Sequence, residues 1–463
     1  MPCRNAEATM RSLILSHALL PEGWRRDVLV GIDADGRIAT VRPDARDTAA
    51  ERHDAIALPG LPNLHSHAFQ RGMAGLSEHA GAADDSFWTW RELMYRFLAR
   101  LTPDDVEAIA TLAYAEMLES GFTRVGEFHY LHHDPDGHPY ADRAEMAARI
   151  AAAAEATGIN LTLLPCFYAH GEVGGGAPSP GQRRFLSDRD GFAALVADSR
   201  RAIAGLPGAT FGLAPHSLRA ATFSEIRDIA SLAAPGEALH IHAAEQVKEV
   251  EACRAILGRP PIAALLDEAP LSDRWCLIHA THGSEAELRG VAAAGAVIGL
   301  CPVTESNLGD GIFPALSYRE AGGRFGVGTD SNILISAVEE LRTLEYSQRL
   351  VRRSRNALAP RGASTARTLW DAAVAGGAQA LGAGPAGIVA GGWADLVLLD
   401  PAHPALAARS GDRWLDALVF ATRGGPIRDV LVRGRRVVAD GRHPARAGAE
   451  ARVAAVLARI LAD

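Results

Sequence analysis

Histidine and carboxylate residues recur at one kind of position in this chain, the ends of short apolar runs. The stretch LPNLHSHAFQRG (residues 61–72) carries His65 and His67 one residue apart. Alternate side chains of a strand share a face, so an H-x-H pair aims two imidazoles at one point. His242 closes the run ALHIH, His279 closes WCLIH and Asp330 closes RFGVGTD. A zinc-like ion takes imidazole nitrogen and carboxylate oxygen, and a catalytic site keeps one position open for water. His65, His67, His242 and Asp330 can supply four such donors from three runs. Water on such an ion has a pKa near ~7, which makes hydroxide available at neutral pH.

Two further groups fall beside these donors. Glu245 follows His242 by three residues. A carboxylate there suits proton transfer between the activated water and a leaving nitrogen, although the start of a helix would also favour an acidic residue. His279 is placed to orient or polarise the hydroxide. His240 and His282 read as structural.

The elements that must position these residues are legible as alternation. Eight apolar runs, LPGLPNLHSH, TRVGEFHY, LTLLPCFYAH, TFGLAPHS, ALHIHAAE, WCLIHATH, AVIGLCPVTES and RFGVGTDS, are each followed by a helical pattern. The helical segments between them include Arg91–Glu119, Ala141–Thr157, Gly191–Ala204 and Val247–Asp267. Strand–helix alternation implies a parallel sheet, and eight repeats imply an α/β fold of the (β/α)8, TIM-barrel kind. Active sites of such barrels lie at the C-terminal strand ends. Those ends carry His65 and His67, Glu127 and His129, His216, His242, His279 and Asp330. The Gly/Pro-rich stretch Gly171–Gln182 after the third run falls on the same face and suits either a mobile lid or a surface loop.

Both ends of the chain are β-rich. Asp27–Val41 reads as a hairpin, Ala394–Asp400 as a strand, and Ile427–His443 as two strands around an Arg-Gly turn. We therefore expect residues 1–58 and 385–463 to build a small composite β-sandwich domain around a barrel of residues 59–384.

Composition narrows the function. The chain has 463 residues, 48% hydrophobic, with a net charge of −8. That balance argues against a nucleic-acid binder, which carries a basic stripe. Cys3, Cys166, Cys253, Cys276 and Cys301 show no C-x-x-C spacing, as expected of reduced thiols in a cytoplasmic protein. LILSHALL near the start is too short to span a membrane and lacks a clear cleavage site, so neither a membrane segment nor a signal peptide is expected. Residues before Met10 read as an extension. Lys248 is the sole lysine.

The order H-x-H, His, His, Asp on the first, fifth, sixth and eighth strands resembles the amidohydrolase superfamily, and the likeness covers nearly the whole chain. Some members hold two metals bridged by a carboxylated lysine on the fourth strand. TFGLAPHS has none, so the resemblance implies one divalent ion, best matched by Zn²⁺, with Fe²⁺, Mn²⁺ and Co²⁺ sharing the donor chemistry. Five stretches, LPNLHSHAFQRGMAGL, DDSFWTWRELMYRF, GEFHYLHH, CPVTESNLGDGIFP and VEELRTLEYSQRL, are similar to the formimidoylglutamate deiminase family.

That resemblance implies hydrolytic deamination of N-formimidoyl-L-glutamate to N-formyl-L-glutamate and ammonia, in histidine degradation. Such a dicarboxylate calls for arginine, whose planar fork holds a carboxylate by two bonds. The family pattern implies Arg91 and Arg219 as those contacts, with Gln70, Tyr130 and His216 as polar contacts; Trp88 and Trp90 read as pocket walls or helix packing and carry no chemistry. It further implies Asp330 as acceptor of the water's proton, His279 as partner of the hydroxide and Glu245 as proton donor to the leaving nitrogen. A homodimer is expected. One departure stands at Asn332, where the pattern has a histidine. Two other readings follow from the same residues: a deaminase of a nucleobase, nucleoside or triazine, and a non-catalytic binding protein on the same barrel.

Overall fold

Alternating apolar residues at both ends of the chain meet in one sheet. In the computed structural model, which describes residues 11–47, 49–81 and 85–462, the N-terminal strands are β1 (Arg11–Leu20), β2 (Gly23–Ile32), β3 (Ile38–Arg42) and β4 (Glu51–Pro59). Cys3 and the expected extension before Met10 lie outside the described residues. The middle contributes β5 (Leu61–Ser66), β6 (Phe122–His129), β7 (Asn160–Phe167), β8 (Thr210–Pro215), β9 (Ala238–Ala243), β10 (Trp275–His279), β11 (Val297–Leu300) and β12 (Arg324–Val327). The C-terminal strands are β13 (Leu396–Leu399), β14 (Ile427–Val432) and β15 (Arg435–Val438).

The end strands form one seven-stranded mixed sheet in the order β15-β14-β13-β4-β1-β2-β3. LILSHALL lies within β1, and its Leu13, Leu15, Ala18 and Leu20 pack with Val28, Val30, Leu396 and Leu398 in a core of their own. The expected hairpin is β2–β3, and Arg433 and Gly434 make the tight turn between β14 and β15 with both φ positive, at 51° and 71°. Among the described residues, no helix is long and apolar enough to cross a membrane.

The eight apolar runs are eight parallel strands in the order β5 to β12. The barrel closes through the future site. A parallel bridge joins Ser66 to Asp330, the Asp330 N–H donates to the His65 carbonyl at 3.0 Å, and the His67 N–H donates to the Asp330 carbonyl at 3.0 Å. This seam needs Gly328: a Cβ there would stand 2.7 Å from the His65 carbonyl oxygen and 2.8 Å from its nitrogen.

Two expected helices are each divided. Arg91–Glu119 is two helices, Phe87–Leu98 and Pro103–Glu119. Thr102 and Asp105 form a reciprocal capping box, with Pro103 in the first turn, and so start a new helix. Val247–Asp267 divides into Val247–Leu257 and Pro261–Glu268 because Gly258 ends the first in a left-handed conformation (φ 72°) and two prolines follow. Ala141–Thr157 begins later, at Glu145, and Gly191–Ala204 is Arg189–Ile203 with Asp188 as its cap. Cys166, Cys253, Cys276 and Cys301 are free and buried.

Candidate active site

The strand ends bring His65, His67, His242 and Asp330 together with all four side chains buried and their donor atoms within 4.8 Å of one another. His67 Nε2 lies 3.2 Å and His65 Nε2 3.4 Å from Asp330 Oδ1, and His65 Nε2 faces His242 Nε2 at 3.1 Å. The remaining ring nitrogens fix two of the orientations. His67 Nδ1 donates to the Phe128 carbonyl at 2.8 Å, and His242 Nδ1 donates to the His216 carbonyl at 3.0 Å. Each such bond leaves the lone pair of Nε2 pointing inward.

Electrostatics keeps these donors ready for a cation. Burial pushes His65 down to about 3 and His242 well below the ordinary histidine range. Burial raises Asp330, but the His65 and His67 rings outweigh it and hold the carboxyl below the usual range. Inward lone pairs on neutral imidazoles beside an ionised carboxylate leave the cluster short of positive charge. A divalent ion satisfies that donor set, and His₃Asp is a donor set that zinc accepts.

A cavity opens above the cluster. His67, Gln70, Arg91, Tyr130, His216, Arg219, His242, Glu245, His279 and Asp330 line it, with Phe87, Trp90, Tyr95 and Tyr168 among its aromatic walls. Every expected site residue is therefore on the wall except His65, which lies beneath it, fully buried. Gln70 Nε2 donates to the Tyr130 hydroxyl at 2.7 Å. Arg91 stacks over Trp88 at 4.5 Å, and Arg219 lies 5.4 Å over Phe87. The Nε atoms of Arg91 and Arg219, and Oε1 of Gln70, are buried without a partner. Burial, with Arg219 next, holds His216 well below the ordinary range, so its ring is neutral.

Glu245 sits past the end of β9, beyond Ala244, which takes a positive φ of 54°. Its Oε2 accepts from Arg219 Nη2 at 3.2 Å, and its Oε1 lies 3.8 Å from His279 Nε2. His279, with φ 69°, points Nε2 toward Asp330 Oδ2 at 3.9 Å and Nδ1 toward Glu305 Oε1 at 3.2 Å. Burial lowers His279, but Glu245, Glu305 and Asp330 outweigh it and push the ring up to about 10.

Other residues stand differently from their expected places. Glu127 and His129 face away from the site. Phe128 between them points inward, 4.5 Å from the His242 ring. Glu127 accepts from the Ala68 N–H at 2.7 Å and the Tyr114 hydroxyl at 3.1 Å, and His129 packs on His132. Asn332 is not on the cavity wall. Its amide braces the seam, bonding Ser66 Oγ and the His67 and Asp330 carbonyls at 3.1 Å each. Three residues were missed: Glu305, behind His279; Glu249, which accepts the Ala244 and Glu245 N–H groups at 3.3 Å each; and Asp310, which is buried, bonds Gln246 Nε2 and is pushed up to about 9 by burial and by Glu245. Glu305 and Asp310 lie in the quoted stretch CPVTESNLGDGIFP, where Asp310 between Gly309 and Gly311 was the available signal and Glu305, inside the helix Pro302–Leu308, gave none.

The profile of the amidohydrolase family matches residues 56–437. The chain belongs to the amidohydrolase family. A second profile, the N-terminal domain of formimidoylglutamate deiminase HutF, matches residues 13–55. This amidohydrolase is 51% identical over 435 residues to the formimidoylglutamate deiminase of Pseudomonas aeruginosa, covering 94% of this chain and 96% of that one. It is 31% identical to an 8-oxoguanine deaminase of the same organism, over 71% of this chain and 76% of that one. Among solved structures, an amidohydrolase from Brucella melitensis superposes with a TM-score of 0.94 at 50% identity, covering 98% of this chain and 100% of that one. A zinc-bound adenosine deaminase from Xanthomonas campestris shares the fold at a TM-score of 0.80 and 24% identity, covering 98% of each chain.

Proposed function

We propose that this amidohydrolase hydrolyses N-formimidoyl-L-glutamate to N-formyl-L-glutamate and ammonia, a step of histidine degradation. The observation that carries the substrate class is a pair of buried guanidinium Nε atoms, on Arg91 and Arg219, without partners at one cavity wall. A buried donor left unmade costs about 1–3 kcal/mol, so the wall favours a ligand that satisfies both. A molecule with two carboxylates does so. The 51% identity to the Pseudomonas aeruginosa deiminase, over 94% of this chain, supports the same diacid.

In this reading His65, His67, His242 and Asp330 hold one divalent ion, best matched by Zn²⁺. The ion supplies Lewis acidity that brings the pKa of water to about 7. Asp330 accepts the proton of the attacking water, and His279 steadies the hydroxide through Nε2. Glu245, between His279 and Arg219, carries a proton to the terminal nitrogen of the formimidoyl group, and ammonia leaves. Gln70, Tyr130 and His216 complete the polar wall around the substrate. In the same reading, residues 1–58 with 385–463 are assigned to the small β-domain and residues 59–384 to the barrel. The free, buried cysteines support a reducing, cytoplasmic setting, and a two-fold homodimer is the proposed assembly.

The test is competition. Glutarate should inhibit turnover competitively, whereas adenine, guanine and cytosine should not. Inhibition by a nucleobase and none by glutarate would move the reading to a nucleobase deaminase on the same metal site.

A further inference from the structure

Arg219 and Glu245 form an ion pair, yet the proposed reaction gives them different work. Arg219 Nη2 donates to Glu245 Oε2 at 3.2 Å, with both side chains buried. Arg219 Nε is buried and unpartnered. It shares an edge of the guanidinium plane with Nη2, and that edge is the one a carboxylate takes with two parallel bonds. A carboxylate arriving there competes with Glu245 Oε2 for the same group and repels it as a like charge. The competition can move the Glu245 side chain without moving its backbone, because Glu249 accepts the N–H groups of Ala244 and Glu245 at 3.3 Å each. The freed carboxylate stays beside the chemistry, since its Oε1 already lies 3.8 Å from His279 Nε2.

We propose that Arg219 couples substrate recognition to proton transfer: the ion pair holds Glu245 until a substrate carboxylate takes Arg219 and releases Oε2 to the reacting groups. The proposal rests on the diacid reading above and adds a specificity device to it. A substrate without that carboxylate leaves Glu245 paired, so the carboxylate contributes to the rate of the bound substrate and not only to its binding.

The experiment measures kcat and KM of the zinc-loaded full chain for N-formimidoyl-L-glutamate and two monoacids, N-formimidoyl-4-aminobutyrate and N-formimidoyl-L-2-aminobutyrate, in wild type and Arg219→Gln. One monoacid, the one lacking the partner of Arg219, should lose about tenfold or more in kcat in the wild type, while the other loses mainly in KM. In Arg219→Gln the kcat gap between the diacid and the slow monoacid should close to within about twofold. Propionate added to the wild type should raise kcat for the slow monoacid, an arm that needs no variant. Equal kcat for all three substrates in the wild type, or a gap that persists unchanged in Arg219→Gln, would overturn the coupling and leave the diacid reading standing. Absence of turnover with N-formimidoyl-L-glutamate itself would overturn the diacid reading, and the coupling with it.

Discussion

Glu305 fixes the ring of His279: its Oε1 stands 3.2 Å from His279 Nδ1 and also accepts the Cys301 N–H at 2.9 Å. The backbone bond pins the carboxylate, and the pinned carboxylate turns His279 Nε2 toward Asp330 and Glu245. Glu305→Gln should therefore lower kcat by about 10–100-fold while KM stays within about twofold, the scale at which partners of site histidines act. Steady-state kinetics checks this, and unchanged kcat would assign Glu305 a purely structural place.

Glu245→Gln separates metal binding from proton transfer. The four proposed metal donors do not include Glu245, so the variant should keep its metal by elemental analysis. Its kcat should fall by about 10²–10⁴-fold, the usual contribution of a positioned acid or base. Loss of metal in parallel with activity would place Glu245 among the ligands instead.

Arg91 and Arg219 should differ in kind. Arg91 stacks on Trp88 and forms no ion pair with Glu245. Arg91→Met removes charge-assisted bonds worth about 1.5–3 kcal/mol, so KM should rise by roughly 10–100-fold with kcat much less affected. A large fall in kcat at unchanged KM would contradict an anchoring role.

The outward-facing Glu127 gives a pH dependence. Burial pushes its carboxyl up to about 8, against the Ala68, Ser66 and Tyr114 bonds that pull it down. Between the ordinary value of 4.5 and about 8 the folded chain holds this proton and the unfolded chain does not. The contribution to stability therefore falls as pH rises through that window. Glu127→Gln keeps an acceptor and cannot ionise, so its unfolding free energy should gain on the wild type from pH 5.5 to 8, by at most roughly 1.4 kcal/mol per pH unit, as denaturant melts at each pH would read. A difference that is flat with pH would contradict the assignment.

What the sequence showed, and what it hid, follows from range. All eight barrel strands were legible because each is a short apolar run closed by a polar residue, a local pattern. The proposed metal donors were legible because parallel strands bring their ends together whatever the helices do. The helix breaks were also local, in Thr102-Pro103 and Gly258 followed by two prolines, but continuous apolar periodicity masked them. Glu127 and His129 do lie at the end of their strand, as read, but which alternate set of a strand faces inward depends on its neighbours, and here Phe128 takes the interior. Glu305 and Glu249 were missed because their partners are set by the turns at His279 and Ala244, both with positive φ, which no residue preference at those positions announces.

Ammonia release by the purified, zinc-loaded protein from N-formimidoyl-L-glutamate, beside adenosine, guanine and cytosine, with products identified by mass, decides between a diacid and a nucleobase substrate. Release is expected from the first alone, with N-formyl-L-glutamate as the other product. Release from a nucleobase or nucleoside alone, or formamide and glutamate as products, would contradict it.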